Sequence, residues 1–152
     1  MGPYREAALI LTDVNVLVYA HREDAPDHRR YRTWLEDTLA SEPAFGVSDL
    51  ILSAFVRIAS HPGIFGVPTP IEEAVGAAER LRQRPNGVRI APGPHHWDIF
   101  ARLCRVAGVK GALVTDAYFA ALAIESGSEW ITTDRDFARF PGLRWRHPLA
   151  AK

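Results

Sequence analysis

Nine aspartates are spread along the 152 residues, and four of them share a context. Asp13, Asp49, Asp116 and Asp134 each directly follow a Ser or Thr, namely Thr12, Ser48, Thr115 and Thr133. Asp13 and Asp134 close apolar runs that read as strands. Asp49 and Asp116 sit in the first turn of segments that read as helices. In a parallel α/β sheet, the carboxyl ends of strands and the amino ends of the following helices share one rim, where ligands bind. Four carboxylates gathered on that rim repel one another and resist burial. A hard divalent cation resolves the repulsion, and Mg²⁺ is held by one or two carboxylates with waters and phosphate oxygens. The pattern therefore predicts a Mg²⁺ or Mn²⁺ site facing a phosphate-bearing substrate. Each aspartate alone has a simpler account as an N-cap or first-turn residue. That account fits the set less well, because Asp13 interrupts the most apolar strand and Asp116 opens a helix that is apolar almost all round.

The elements that must position these groups can be read from periodicity. Residues 8–12 form a buried strand, and Asp13 caps a short helix over 14–20. Residues 28–40 form an amphipathic helix with Tyr31, Trp34, Leu35 and Leu39 on one stripe. Residues 49–59 are helical and end at His61-Pro62-Gly63. Thr69-Pro70-Ile71-Glu72 reads as a capping box with Pro at the first helical position, opening a helix that places Ile71, Ala74, Val75, Ala78 and Leu81 on one face. A helix over 95–107 aligns Trp97, Phe100, Cys104 and Ala107. A helix over 116–126 should be central. Strands are expected at 44–47, 87–91, 130–133 and 143–146. Short apolar strands alternating with helices predict one α/β domain over 1–152 with a mostly parallel sheet.

Composition sets the outer limits. Lys+Arg and Asp+Glu are both 18, so the formal net charge is zero. Binding nucleic acid through bulk charge needs a basic excess, which is absent. Hydrophobic residues are 47% and aromatics 10%, which excludes an acidic disordered chain. Setting the four aspartates aside leaves a basic surplus of four, dominated by Arg, since only Lys110 and Lys152 are lysines. Cys104 is the single cysteine, so neither an internal disulfide nor a cysteine-rich zinc site can form. The apolar stretch from Ala7 to Ala20 is broken by Asp13 and Asn15. It is too short to span a membrane and makes a poor secretory core, so no membrane partner and a cytoplasmic location are expected.

Three blocks then carry a family resemblance. Thr-Asp-Val-Asn-Val-Leu-Val-Tyr-Ala (12–20), Val-Thr-Asp-Ala-Tyr-Phe-Ala-Ala-Leu-Ala (114–123) and Thr-Thr-Asp-Arg-Asp-Phe-Ala-Arg-Phe-Pro-Gly-Leu-Arg-Trp (132–145) resemble the signature blocks of PIN-domain ribonucleases. More narrowly they resemble VapC-type toxins of bacterial toxin–antitoxin pairs, in a subgroup abundant in mycobacteria. Val47-Ser48-Asp49-Leu50 through Arg57 and His61-Pro62 matches the block with the family's second acid. The resemblance implies a three-layer α/β/α PIN fold and a Mg²⁺- or Mn²⁺-dependent RNA endonuclease, with transfer or ribosomal RNA as candidate targets. It also implies a homodimer and a cognate VapB-type antitoxin that blocks the groove. Asp13, Asp116 and Asp134 match the first, third and fourth acids, the expected metal residues. Asp49 stands where many members carry the longer Glu, so direct and water-mediated metal contact are both open. Asn15 matches a polar position that orients carboxylates, and Asp136 matches an auxiliary acid or a helix-start residue. Thr133 is expected to hydrogen-bond a carboxylate or the scissile phosphate.

Other features carry less. His95 and His96 are adjacent, so on a helix they cannot flank one phosphate. His21, His28 and His61 show no ligand spacing. Cys104, Trp34 and Trp97 read as core. His28, Arg29, Arg30 and Arg32 read as a solvated face that could also contact RNA phosphates. A receiver domain would need a lysine after a late strand, and Lys110 does not fit. A haloacid-dehalogenase phosphatase would need a second Asp where Asn15 stands. A non-catalytic PIN-like module that only binds RNA or protein is the remaining alternative, and the retained acids argue against it.

Overall fold

In the computed structural model, which describes residues 9–150, the chain alternates strands and helices. Ala8, at the start of the expected first strand, lies outside the described residues, as do Ala7 and Lys152. The order is β1 (Ile10–Thr12), α1 (Val14–His21), α2 (His28–Ser41), β2 (Phe45–Val47), α3 (Asp49–Ala59) and α4 (Ile71–Arg82). It continues with β3 (Gly87–Arg89), α5 (His96–Ala107), α6 (Ala112–Ser126), β4 (Glu129–Ile131), a 3-10 turn (Arg135–Arg139) and β5 (Trp145–Arg146).

All strand pairs are parallel. β1 pairs with β4 and β4 with β5, placing Leu11 opposite Trp130 and Trp130 opposite Trp145. β2 pairs separately with β3. The two pieces abut at Gly46, where a Cβ would stand 2.9 Å from the Ile10 carbonyl oxygen. The strands thus lie in the order β3-β2-β1-β4-β5. β1 and β2 are buried throughout, which is why their runs are apolar rather than alternating. α1 packs on α2 and α3, α3 on α4, and α5 on α6, giving the α/β three-layer arrangement of a PIN-like fold. Between the layers lies a core around Leu11, Phe55, Leu103, Leu122, Trp130 and Phe137.

Three expectations need correction. The central helix begins at Ala112, after Gly111 at φ 64°, so Asp116 is its fifth residue and not in its first turn. Val114 and Thr115 are poor helix formers and conceal that start. Thr69 does not close a capping box: its Oγ1 accepts from Arg22 Nη1 at 3.1 Å, and Pro70 is the cap. α4 accordingly turns Ala74 and Ala78 inward and leaves Ile71 and Val75 exposed. On α5 the buried positions are His96 and Leu103, while Trp97 is 68% exposed and is not core. The apolar stripe is offset by one residue because His96 takes an inward place among aromatic rings.

Candidate active site

β1 ends by delivering Asp13 to the start of α1, where its backbone is extended and its Oδ1 accepts the Val14 N–H at 2.7 Å. The β1–β4 register continues one step to set Asp13 opposite Thr132. Thr132 is fully buried, and its hydroxyl donates to Asp13 Oδ2 at 2.7 Å. The Thr132 Oγ1 in turn accepts the Asp134 N–H at 3.0 Å. One hydroxyl therefore brackets the first and fourth acids together. Asp134 in turn caps the 3-10 turn, its Oδ1 accepting the Asp136 N–H at 2.8 Å.

Electrostatics join Asp116 to this pair. Burial pushes the Asp13 carboxyl up to about 6, against the pull of its two hydrogen bonds, with repulsion from Asp116 and Asp134 adding to the rise. Burial also raises Asp116, helped by repulsion from Asp134 and Asp136 and opposed by the Arg139 cation. Asp13, Asp116 and Asp134 thus lie in one another's fields, with exposed Asp136 at the edge.

Asp49 is placed differently. It opens α3, where Arg82 of α4 grips it, Nε to Oδ1 at 2.7 Å and Nη2 to Oδ2 at 3.3 Å. The Arg82 hydrogen bond holds its carboxyl below the ordinary range. Asp49 is not among the charges acting on Asp13 or Asp116. Asn15 is exposed in the first turn of α1, and Thr133 is half-buried. Neither side chain makes a hydrogen bond among the described residues. The carboxylate contact expected of Thr133 is made by Thr132. Strand alternation carries the signal that identifies it, because neighbouring residues point to opposite faces and only one can meet Asp13.

The donor set can be tested against a divalent ion. Among the described residues, no group of three or more Asp, Glu, His or Cys side chains is drawn tightly enough to hold an ion as it stands. The chemistry of the cluster still fits a hard cation: every donor is a carboxylate oxygen, and the buried member is held up by burial first and then by its neighbours' charge. His95 and His96 cannot serve as an acid–base pair, since His95 is exposed while His96 is buried with Nε2 on the Tyr118 carbonyl at 3.0 Å. In the basic cluster, Arg32 pairs with Glu36 at 3.0 Å, Arg30 leans on Asp27 at 3.9 Å, and His28 Nδ1 meets the Tyr19 carbonyl at 2.8 Å. An open cleft of about 430 Å³ between α1, α2 and α4 contains none of the candidate aspartates.

Comparison with known proteins gives a consistent picture. The PIN domain family matches residues 10–143. Ribonuclease VapC43 of Mycobacterium tuberculosis is 40% identical over 141 residues, covering 93% of this chain and 96% of that protein. Ribonuclease VapC25 of the same species is 37% identical over 140 residues, covering 92% and 99%. VapBC2 from Rickettsia felis, solved bound to a DNA fragment from its promoter, superposes with a TM-score of 0.66 at 18% identity, over 91% of this chain and 98% of that one. VapBC-1 from nontypeable Haemophilus influenzae gives 0.64 at 19% identity, over 93% and 99%.

Proposed function

The chain belongs to the PIN-domain family, and from that premise we propose that it is the endoribonuclease toxin of a VapBC-type toxin–antitoxin pair. Relatives at 40% identity are named VapC ribonucleases, and its structural neighbours include VapBC complexes. Its partners are accordingly an RNA substrate and a cognate VapB-type antitoxin. We further propose dependence on Mg²⁺ or Mn²⁺, a homodimeric state, and a cytoplasmic location where transfer or ribosomal RNA is the substrate.

One observation carries the metal-dependent reading. Asp13, Asp116 and Asp134 come from three elements into one repelling cluster, with Asp13 raised to about 6. A divalent ion bound there supplies positive charge at the phosphoryl oxygens and acidifies water for in-line attack. Asp13 and Asp116 would hold it, and Asp134 would hold a second ion or a coordinated water. Thr132 fixes the Asp13 carboxylate and the Asp134 backbone in one arrangement. That leaves the Thr133 hydroxyl for the scissile phosphate and Asn15 for orienting a water at the rim. Asp49 acts through water, because Arg82 occupies both of its oxygens. The test is cleavage of RNA by the purified chain in Mg²⁺, then with EDTA, then by Asp116→Asn. Cleavage is expected only in the first case, and activity that survives both changes overturns the metal mechanism.

A further inference from the structure

The 3-10 turn beside the acid cluster carries a cation that the scheme above does not use. Phe137 and Phe140, both 2% exposed, pin the turn into the core, and Phe137 packs on Trp130. Arg139 lies between them in sequence, so its backbone is anchored while its side chain reaches the surface, 34% exposed. Its Nε donates to the Asp136 carbonyl at 3.0 Å, which fixes the direction of the guanidinium. Its Nη2 is 3.7 Å from the Asp136 carboxylate, beyond hydrogen-bond reach. Neither Nη makes a hydrogen bond among the described residues. Arg139 is also the cation whose field opposes the repulsion on Asp116. An anchored guanidinium with unfilled Nη donors at the edge of a carboxylate cluster suits a bidentate oxyanion such as a phosphodiester.

We propose that Arg139 binds a backbone phosphate of the RNA at the rim of the Asp13–Asp116–Asp134 cluster and so sets where the strand lies over the carboxylates. This rests on the ribonuclease reading. Its loose ion pair with exposed Asp136 is weak enough to exchange for a phosphate. Arg135, exposed on the same turn and without an ion pair among the described residues, supplies a control of equal charge.

Binding is measured in the Asp116→Asn background, which keeps the RNA uncut, by fluorescence anisotropy with a labelled mixed-sequence single-stranded RNA in Mg²⁺ over a KCl series. Arg139→Gln is expected to weaken binding about tenfold and to flatten the log-affinity against log-salt slope by about 0.7, one contact on a single strand. Arg135→Gln leaves affinity and slope unchanged. In the otherwise unmodified chain, Arg139→Gln raises KM more than it lowers kcat. Calorimetric titration of metal-free Arg139→Gln with Mn²⁺ shows no loss of affinity. An unchanged slope, an equal flattening by Arg135→Gln, or lost Mn²⁺ affinity overturns the proposal. Should Arg139→Gln not fold, Arg139→Lys decides: retained slope with reduced affinity supports the contact, and unchanged affinity overturns it. If the unmodified chain cannot cut RNA in Mg²⁺, the ribonuclease reading fails, while the anisotropy series still decides the role of Arg139.

Discussion

Asp13 is held ionised at neutral pH at a cost, and that cost makes it testable. Its folded value is raised, so the folded state binds the proton more tightly than the unfolded chain does. The stability this provides is complete below the ordinary carboxyl value of 3.8 and is lost as pH rises through about 6. The loss is about 3 kcal/mol at 1.36 kcal/mol per pKa unit. Asp13→Asn should therefore be the more stable metal-free protein at pH 7.5, with the difference from the unmodified chain vanishing below pH 4 in thermal melts. Mg²⁺ should raise the melting midpoint of the unmodified chain and not that of Asp13→Asn. Thr132 gives the complementary case. Thr132→Val keeps the shape but leaves one Asp13 oxygen and the Asp134 N–H without their partner. It should cost about 1–3 kcal/mol in denaturant melts and weaken Mn²⁺ binding in calorimetry. Asp49→Ala, which breaks an exposed pair, should barely move the melting midpoint. It should also reduce RNA cleavage far less than Asp116→Asn.

At the level of elements, the strands and most helices are legible because apolar runs bounded by caps leave little choice. β2, β3 and β5 each lie inside the stretch expected for them, β4 begins one residue ahead of its stretch at Glu129, and Asp13 caps α1 as its position suggests. What sequence hides is set by tertiary contacts. Thr69 looks like a cap but is taken by Arg22 from forty-seven residues away. Trp97 looks like core, but His96 claims the inward position through the Tyr118 carbonyl. Asp49 looks equivalent to the other acids until the α3–α4 packing brings Arg82 to it. Thr132 and Thr133 are chemically identical, and strand alternation separates them only once the register with β1 fixes which face meets Asp13. The tightest requirement between elements is at Gly46, where backbone stands in the way of any Cβ. Gly46→Ala should force β1 and β2 apart and destabilise the fold by about 1–3 kcal/mol, measured by urea unfolding. Trp97→Ala, by contrast, should leave the unfolding midpoint unchanged.

For the whole molecule, the zero net charge is a compensated sum. A cluster of acids sits within a surface otherwise richer in Arg than in Asp and Glu. RNA should accordingly bind poorly to the metal-free protein and more tightly to the Mg²⁺-loaded form, with the latter affinity falling as salt rises in filter-binding assays. The seam at Gly46 has a consequence for how the molecule opens. Among the described residues no ladder of hydrogen bonds crosses from β1 to β2, whereas the Asp13–Thr132–Asp134 bracket ties β1 to β4 and the 3-10 turn. Amide hydrogen exchange should therefore sort into two cooperative units divided along that line. The β2–β3 unit, with Asp49 and Arg82, should exchange first, while the three clustered acids stay together in the slower-opening half.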